Sequence, residues 1–439
     1  MQYVLRSFGI LVALLLWTVP GVSWALAADS GGAYDSWKFN VGGDERFRTE
    51  YRNDFDLKDT VKDNATWFYN RLRLNVKAAY SDEYLNDKLV VFMEGLDARA
   101  SDNKDFKGAN AQKDDFDLHQ GYVKAINVAD SGVDIKLGRQ EFQYGAGRLI
   151  AAPTWLNRVR SFDGGVVRYV KNGFSADLLL GYEVLYDTHK FNMAREENFL
   201  TGSYFSYQKN NIAPLLEWYY LDYTDIRGTT DTHRQTIGGR VKATIAPETM
   251  LDIEVPYQFG NQAGQDKYIH AYAAHADLAR TFSSVMWKPK LALAYDQASG
   301  DKNATDGTSH TFVPLYQTTH DPYGLLDIVR WQNIRNPELG VTFYPTDKWS
   351  FTPQVDWFWL DNRHDAWYSS SGTVTRAATA ADINSFLGTE ISIRSVYDLT
   401  SNIKLEGGYA HLYTGKYLRS TAGGDDPINW VYTQMIVKF

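Results

Sequence analysis

In several stretches of this chain, cationic residues stand two apart, a spacing that puts them on one face of an extended strand. Arg46 and Arg48 are in phase, as are Arg71, Arg73 and Lys77 with Asn75 between them. Arg240 and Lys242 repeat the pattern, and Glu390 with Arg394 and Lys404 with Glu406 mix the two signs on one face. A planar guanidinium fork meets a carboxylate or phosphate through two parallel hydrogen bonds, so rows of this kind suit the passage or binding of anions. The alternative is that such charges pair with one another and brace a wall. Catalytic chemistry is poorly supplied. A hydrolase needs a nucleophile and a base side by side. His119, His270, His275 and His411 fall in alternating stretches, but no Gly-x-Ser-x-Gly or His-Glu-x-x-His segment occurs. The absence of cysteine excludes disulfides, thiolate nucleophiles and Cys-ligated metals. The acidic stretch Asp102 to Asp117 offers oxygen ligands for Ca²⁺, yet such loops are ordinarily just solvated. Neither an enzyme nor a cofactor is expected.

The residues between the charges say what must position them. Leu72, Leu74, Val76 and Ala78 interleave with Arg71 to Lys77; Val241 and Ala243 flank Lys242; Ile391 and Ile393 lie between Glu390 and Arg394. Segments of about ten residues with this alternation, the length that crosses a bilayer as a tilted strand, recur from Trp37 to Phe439. We count eighteen, opening with 37–50 and 67–80 and ending with 402–414 and 429–439. The breaks between them alternate short and long. Short ones include 171–173, 246–248 and 345–348; long ones include 53–65, 100–114, 143–159, 300–332 and 362–383. Short turns on one side and long loops on the other are the habit of bacterial outer-membrane barrels. The expected fold is all-β, a transmembrane antiparallel β-barrel of eighteen strands. An Arg or Lys facing lipid at the bilayer centre costs about 2–4 kcal/mol. The charged faces are therefore expected to line the lumen.

Composition agrees. Tyr (29), Phe (22) and Trp (13) make up 15% of the chain, enough for aromatic belts at both interfaces. The mean hydropathy of −0.40 is far too polar for a helical membrane protein, but not for a barrel in which alternate residues meet lipid. Residues 1–27 read as a secretory signal peptide: Arg6, the apolar run Phe8 to Trp17, and Ala25-Leu26-Ala27 as the cleavage site. Residues 28–439 are then the barrel. A net charge of −8 argues against a nucleic-acid partner. At the C-terminus Val431, Thr433, Met435, Val437 and Phe439 share one face, and a terminal Phe after such alternation resembles the signal read by the outer-membrane assembly machinery. The expected setting is the outer membrane of a Gram-negative bacterium, with its lipid and lipopolysaccharide as partners and a monomeric barrel.

One region carries more than a pattern. Leu137-Gly138-Arg139-Gln140-Glu141, Tyr144-Gly145-Ala146-Gly147-Arg148-Leu149-Ile150, Trp155-Leu156-Asn157-Arg158 and Arg160-Ser161-Phe162-Asp163-Gly164 resemble the alginate-export family of outer-membrane proteins. Asp117 to Tyr122 and Pro345 to Ser350 support the likeness, which is specific over 137–169 and looser elsewhere. The resemblance implies an eighteen-stranded porin with an arginine-rich constriction, passing a polyuronate to the cell surface with help from a periplasmic export scaffold. It marks Arg139, Gln140, Arg148, Asn157, Arg158, Arg160 and Asp163 as lumen residues. With Arg46, Arg48, Arg71, Arg73, Lys77, Arg168, Arg240, Glu390 and Arg394 they form the expected solute pathway. A nutrient porin for small carboxylates shares this fold and lumen, and a plugged structural barrel would conduct nothing. Arg139 poses a phase problem, because it shares parity with Ile135 and Leu137. Either Gly138 marks a bulge that resets the face, which we expect, or Arg139 lies above the membrane. The break 143–159, with two Arg, a Pro and a Trp, either folds inward as a constriction or faces lipopolysaccharide.

Overall fold

The computed structural model describes residues 36–55, 57, 64–81, 87–101, 112–226, 231–318 and 320–439. The expected signal peptide and most of the acidic stretch 102–117 lie outside them. The alternating segments form eighteen wall strands. They are β1 Ser36–Asn53, β2 Ala65–Ser81, β3 Asp87–Ala100, β4 Asp114–Ala125, β5 Val133–Gln140 and β6 Phe162–Lys171. Next come β7 Phe174–Leu185, β8 Met193–Tyr207, β9 Leu215–Asp225, β10 Thr232–Ala246, β11 Thr249–Gln262 and β12 Lys267–Thr281. The last are β13 Lys290–Ala298, β14 Ile334–Thr346, β15 Trp349–Trp359, β16 Phe386–Asp398, β17 Ile403–Thr414 and β18 Ile428–Lys438. Each pairs antiparallel with the next, and β18 returns to β1 from Asp44↔Lys438 to Asn53↔Asn429. Reciprocal backbone bonds between Gly43 and Phe439 (2.9 and 3.1 Å) finish the seam, so the terminal residue is part of the closure. Closure leaves no strand edge unpaired, the condition for a sheet in hydrocarbon.

Turn chemistry explains the tight side. Asn172 and Gly173 both have positive φ (50° and 80°), the two-residue hairpin that Asn-Gly favours, and it joins β6 to β7 directly. Trp287 and Lys288 are also left-handed (64° and 42°), so they belong to a turn and β13 begins at Lys290. Outward faces carry Phe68, Leu74, Val76, Leu178, Leu180, Val241, Ile391 and Ile393. Aromatic clusters band this face near the short turns, as in Phe205 against Trp218 (5.5 Å) and Phe343 against Phe351 (5.0 Å).

The main buried apolar cluster sits inside the barrel. Two long connections, 141–161 and 299–333, fold into the lumen and pack Phe142, Ile150, Phe312, Tyr323, Leu326 and Trp331 against inward side chains such as Phe162, Leu200 and Phe358. Of the alternatives for 143–159, the inward one holds. A smaller insertion comes from 415–427, whose short helix Lys416–Arg419 buries Tyr417 and Leu418.

The expected bulge at Gly138 is absent. The β5 ladder runs unbroken from Val133↔Tyr169 to Gln140↔Phe162, and on its other side from Ala125↔Ile135 to Gly121↔Arg139. Gly138 adopts φ 125° so that two backbones approach closely, and no residue is inserted. Arg139 therefore keeps the outward parity of Leu137, which is 59% exposed.

Candidate functional site: the lumen and its two inserted loops

The arginine rows of β1 and β2 face inward, where they hold a loop. Arg46 donates to the carbonyls of Thr154 (2.7 Å) and Trp155 (2.8 Å) and to Asn157 Oδ1 (2.8 Å). Arg48 reaches the Trp155 carbonyl (2.7 Å) and lies 3.9 Å from the centre of its ring, and its Nε meets Glu50 at 2.8 Å. Arg71 binds the carbonyls of Thr154 (2.8 Å) and Leu156 (3.3 Å) and pairs with Asp44 (3.1 Å). Asn157, fully buried, donates to the carbonyls of Asn70 and Arg99. Five carbonyl bonds from three guanidiniums fix 154–157 against the wall. Charged donors are strong ones in such surroundings.

The loops then fix each other. Ile150 and Tyr316 form a parallel bridge, with Ala151 N donating to Tyr316 O (2.8 Å) and Tyr316 N to Leu149 O (2.7 Å). Trp155 stacks on His320 at 3.8 Å and meets Tyr432 of β18 edge-on at 4.9 Å. Three strands from β1 around the closed wall, Glu390 of β16 accepts from the backbone N–H of Leu325 (2.6 Å) and Leu326 (3.4 Å). Gly324, at φ 77°, passes so close that a Cβ there would lie 2.5 Å from the Glu390 carboxylate. Arg394 pairs with Asp321 (2.6 Å). A belt of loop is thus anchored along one side of the wall, from β16 past β18 to β1 and β2.

The other expected pathway residues divide by what they touch. Arg148 pairs with Glu254 (3.0 Å), and Arg240 is neutralised by Glu217 and Asp252 (2.8 and 2.5 Å). Arg168 holds Asp177 through both oxygens (2.7 and 2.6 Å), and Gln140 donates to the carbonyls of Gly138 and Gly164. Lys77 stands on the inward face opposite Asn40. Arg158 lies over Tyr186 (4.7 Å), and burial holds its guanidinium below the usual range. Arg160 meets Glu183 (3.2 Å) and the Tyr316 carbonyl (2.9 Å). Arg139 and Asp163 are a correction: they face outward at the loop end of β5 and β6, joined by two bonds (2.7 and 2.9 Å), with Phe191 beside the guanidinium. Mutual neutralisation and a place at the strand ends make that position tolerable.

Two features escaped the sequence reading. Loop 299–333 had shown only length and polarity, yet it supplies half of the inserted belt. A second sector of the wall is acidic, where Asp252, Glu338 and Asp356 join Asp296 and the expected Glu390, all inward on β11 to β16. Single carboxylates in mid-strand were the available signal. Among the described residues one trio, Glu94, His119 and Glu141, has metal-ligand spacing. Arg73 Nη2 already sits 2.6 Å from Glu94 and 2.9 Å from Glu141, so a guanidinium supplies the positive charge there.

Comparison with known proteins places these features. The sequence profile of the family described as alginate export matches residues 37–431. No curated protein matches the chain. Among solved structures, Pseudomonas aeruginosa OpdK with vanillate superposes with a TM-score of 0.60 at 10% identity, covering 91% of this chain and 98% of that one. Acinetobacter baumannii OccAB2 gives 0.60 at 12% over 91% and 98%, and P. aeruginosa OpdO 0.59 at 12% over 91% and 96%. At these identities the likeness is one of fold.

Proposed function

The chain belongs to the alginate export family, and from that premise we propose that it is an anion-selective channel which passes a carboxylate-bearing solute. Fold and family make it an outer-membrane channel of Gram-negative type rather than an enzyme. The observation that carries the finer reading is the inward row Arg46, Arg48, Arg71 and Arg73, continued by Lys77, on adjacent strands of one wall. Fixed cations along a pore draw anions in and offset part of what they lose on shedding water. The resemblance to exporters supports a polyuronate as solute, and a periplasmic scaffold would then deliver it.

A specific observation favours a second reading, uptake of small carboxylates. The belt is held at both ends and joined by the Trp155–His320 stack, which narrows the passage toward single small solutes. The likeness in fold to OpdK, solved with vanillate, agrees with this. Reversal potentials across a KCl gradient in planar bilayers test the shared claim: chloride preference is expected, and equal permeability to K⁺ would overturn it. Block of that current by long polyuronate supports export. Block by monomeric carboxylates alone supports uptake.

A further inference from the structure

A polar cavity of about 250 Å³ lies where β7 to β9 meet the inserted loop 299–333, under Ser370 and Ser371 of the 360–385 connection. Its charge is unbalanced. Arg160, Arg195 and Arg330 line it against a single carboxylate, Glu183, which already serves Arg160 at 3.2 Å. Arg330 is only 8% exposed, and the one hydrogen bond of its guanidinium among the described residues runs from Nη2 to the Pro314 carbonyl (2.8 Å). Its Nε is buried without a partner. Burial, and then the neighbouring Arg160 and Arg234, pushes the Arg330 guanidinium down to about 10. Beside it Gln317, 2% exposed, accepts from Trp331 N (3.2 Å) but leaves its Nε2 donor unmatched. A buried cation without counter-charge, next to a buried donor without acceptor, is costly for a protein to keep. An anion in the cavity would supply the missing counter-charge.

We propose that this cavity is a saturable binding site for the carboxylate of a compact hydroxylated solute, held by Arg330 and Arg195. The guanidiniums supply forked donors for the carboxylate. Asn198 and the serine hydroxyls of the roof suit hydroxyl groups, and the lining is mostly polar side chains. The volume falls below that of ordinary drug-sized pockets and takes about one sugar ring, so it holds one unit of a solute at a time. The site lies on the side of the long loops, bounded by the ends of β7 and β8, so it meets solute at the outer face of the belt. This inference rests on the anion-channel reading and gives that channel a resting site.

The test is calorimetric titration of the detergent-solubilised full barrel with sodium glucuronate, with glucose as the uncharged counterpart. Saturable glucuronate binding, absent for glucose and weakened at least tenfold in Arg330→Gln and in Arg195→Gln, is expected. Arg195 is only partly buried, so its variant serves if the loop of Arg330→Gln packs poorly; the heat-dependent shift in gel mobility shows that each barrel is folded. Titration with a uronate decamer separates the sources. Binding as tight as the monomer's marks the end of a polymer, and binding of the monomer alone marks a free solute. Glucuronate affinity unchanged in both variants, or no saturable binding at all, overturns the site. Bilayer selectivity is read separately: a chloride-preferring pore that fails to bind glucuronate sinks this inference and leaves the channel reading standing.

Discussion

Asn157 shows how one amide can hold a loop inside a pore. Its Nδ2 serves backbone carbonyls at the ends of β2 and β3 while its Oδ1 takes a bond from Arg46. Asn157→Ala would strand those groups in a buried place, at about 1–3 kcal/mol for each buried group left unpaired. We expect its barrel to lose the gel-mobility shift at a lower temperature than wild type and to show noisier single-channel current. At the other end of the belt Glu390 accepts two backbone N–H groups next to a left-handed Gly324. Gly324→Val strains the backbone and drives a side chain into the Glu390 carboxylate. Limited proteolysis should then cut within 299–333, where wild type resists; unchanged protection would show that this anchor is dispensable.

The two inserted loops behave as one element because a β-bridge and a ring stack join them. If they stay joined while the pore conducts, tying them covalently should change nothing. The chain has no cysteine, so Ile150→Cys with Tyr316→Cys gives a single disulfide between bridge partners, whose Cα spacing suits one. Conductance is expected to be the same before and after reduction; a current that rises on reduction would mean that the loops part. Trp155→Ala removes the ring between Arg48 and His320. Loss of a fully buried aromatic costs about 3–5 kcal/mol, and less where the ring is half-buried as here. Here it falls on the belt and not on the wall, so single-channel conductance should rise while the gel-mobility shift survives.

For the whole molecule, the last residue extends the closing ladder of β18 on β1. Phe439 exchanges two backbone bonds with Gly43 and lays its ring against that glycine. Deleting Phe439 removes both the seal and the outward apolar ring, so the yield of folded barrel in the membrane fraction should fall several-fold; an undiminished yield would refute that role. Cations on β1 and β2 and carboxylates on β11 to β16 occupy different sectors of the lumen wall. The resulting transverse field orients a solute that carries charge at one end, and it is screened within about 8 Å at physiological ionic strength. Selectivity should therefore weaken when the recording salt is raised from 0.1 to 1 M, where the screening length falls to about 3 Å.

The wall was legible in the sequence because a strand's side chains alternate strictly and lipid punishes an error at every second position. Eighteen segments, the side of each turn, the inward rows Arg46–Arg48 and Arg71–Arg73 and the closing Phe439 all follow from that local rule. The same rule, kept without exception through Gly138, places Arg139 outside, where the family likeness had pointed inward. Loop placement obeys no such periodicity. Whether 299–333 stands in water or fills the lumen depends on partners far away in the chain, such as Glu390 for Leu325 and Leu149 for Tyr316. Only the closed barrel brings those partners within reach, so the belt, the acidic wall and the Arg330 cavity were decided by tertiary structure.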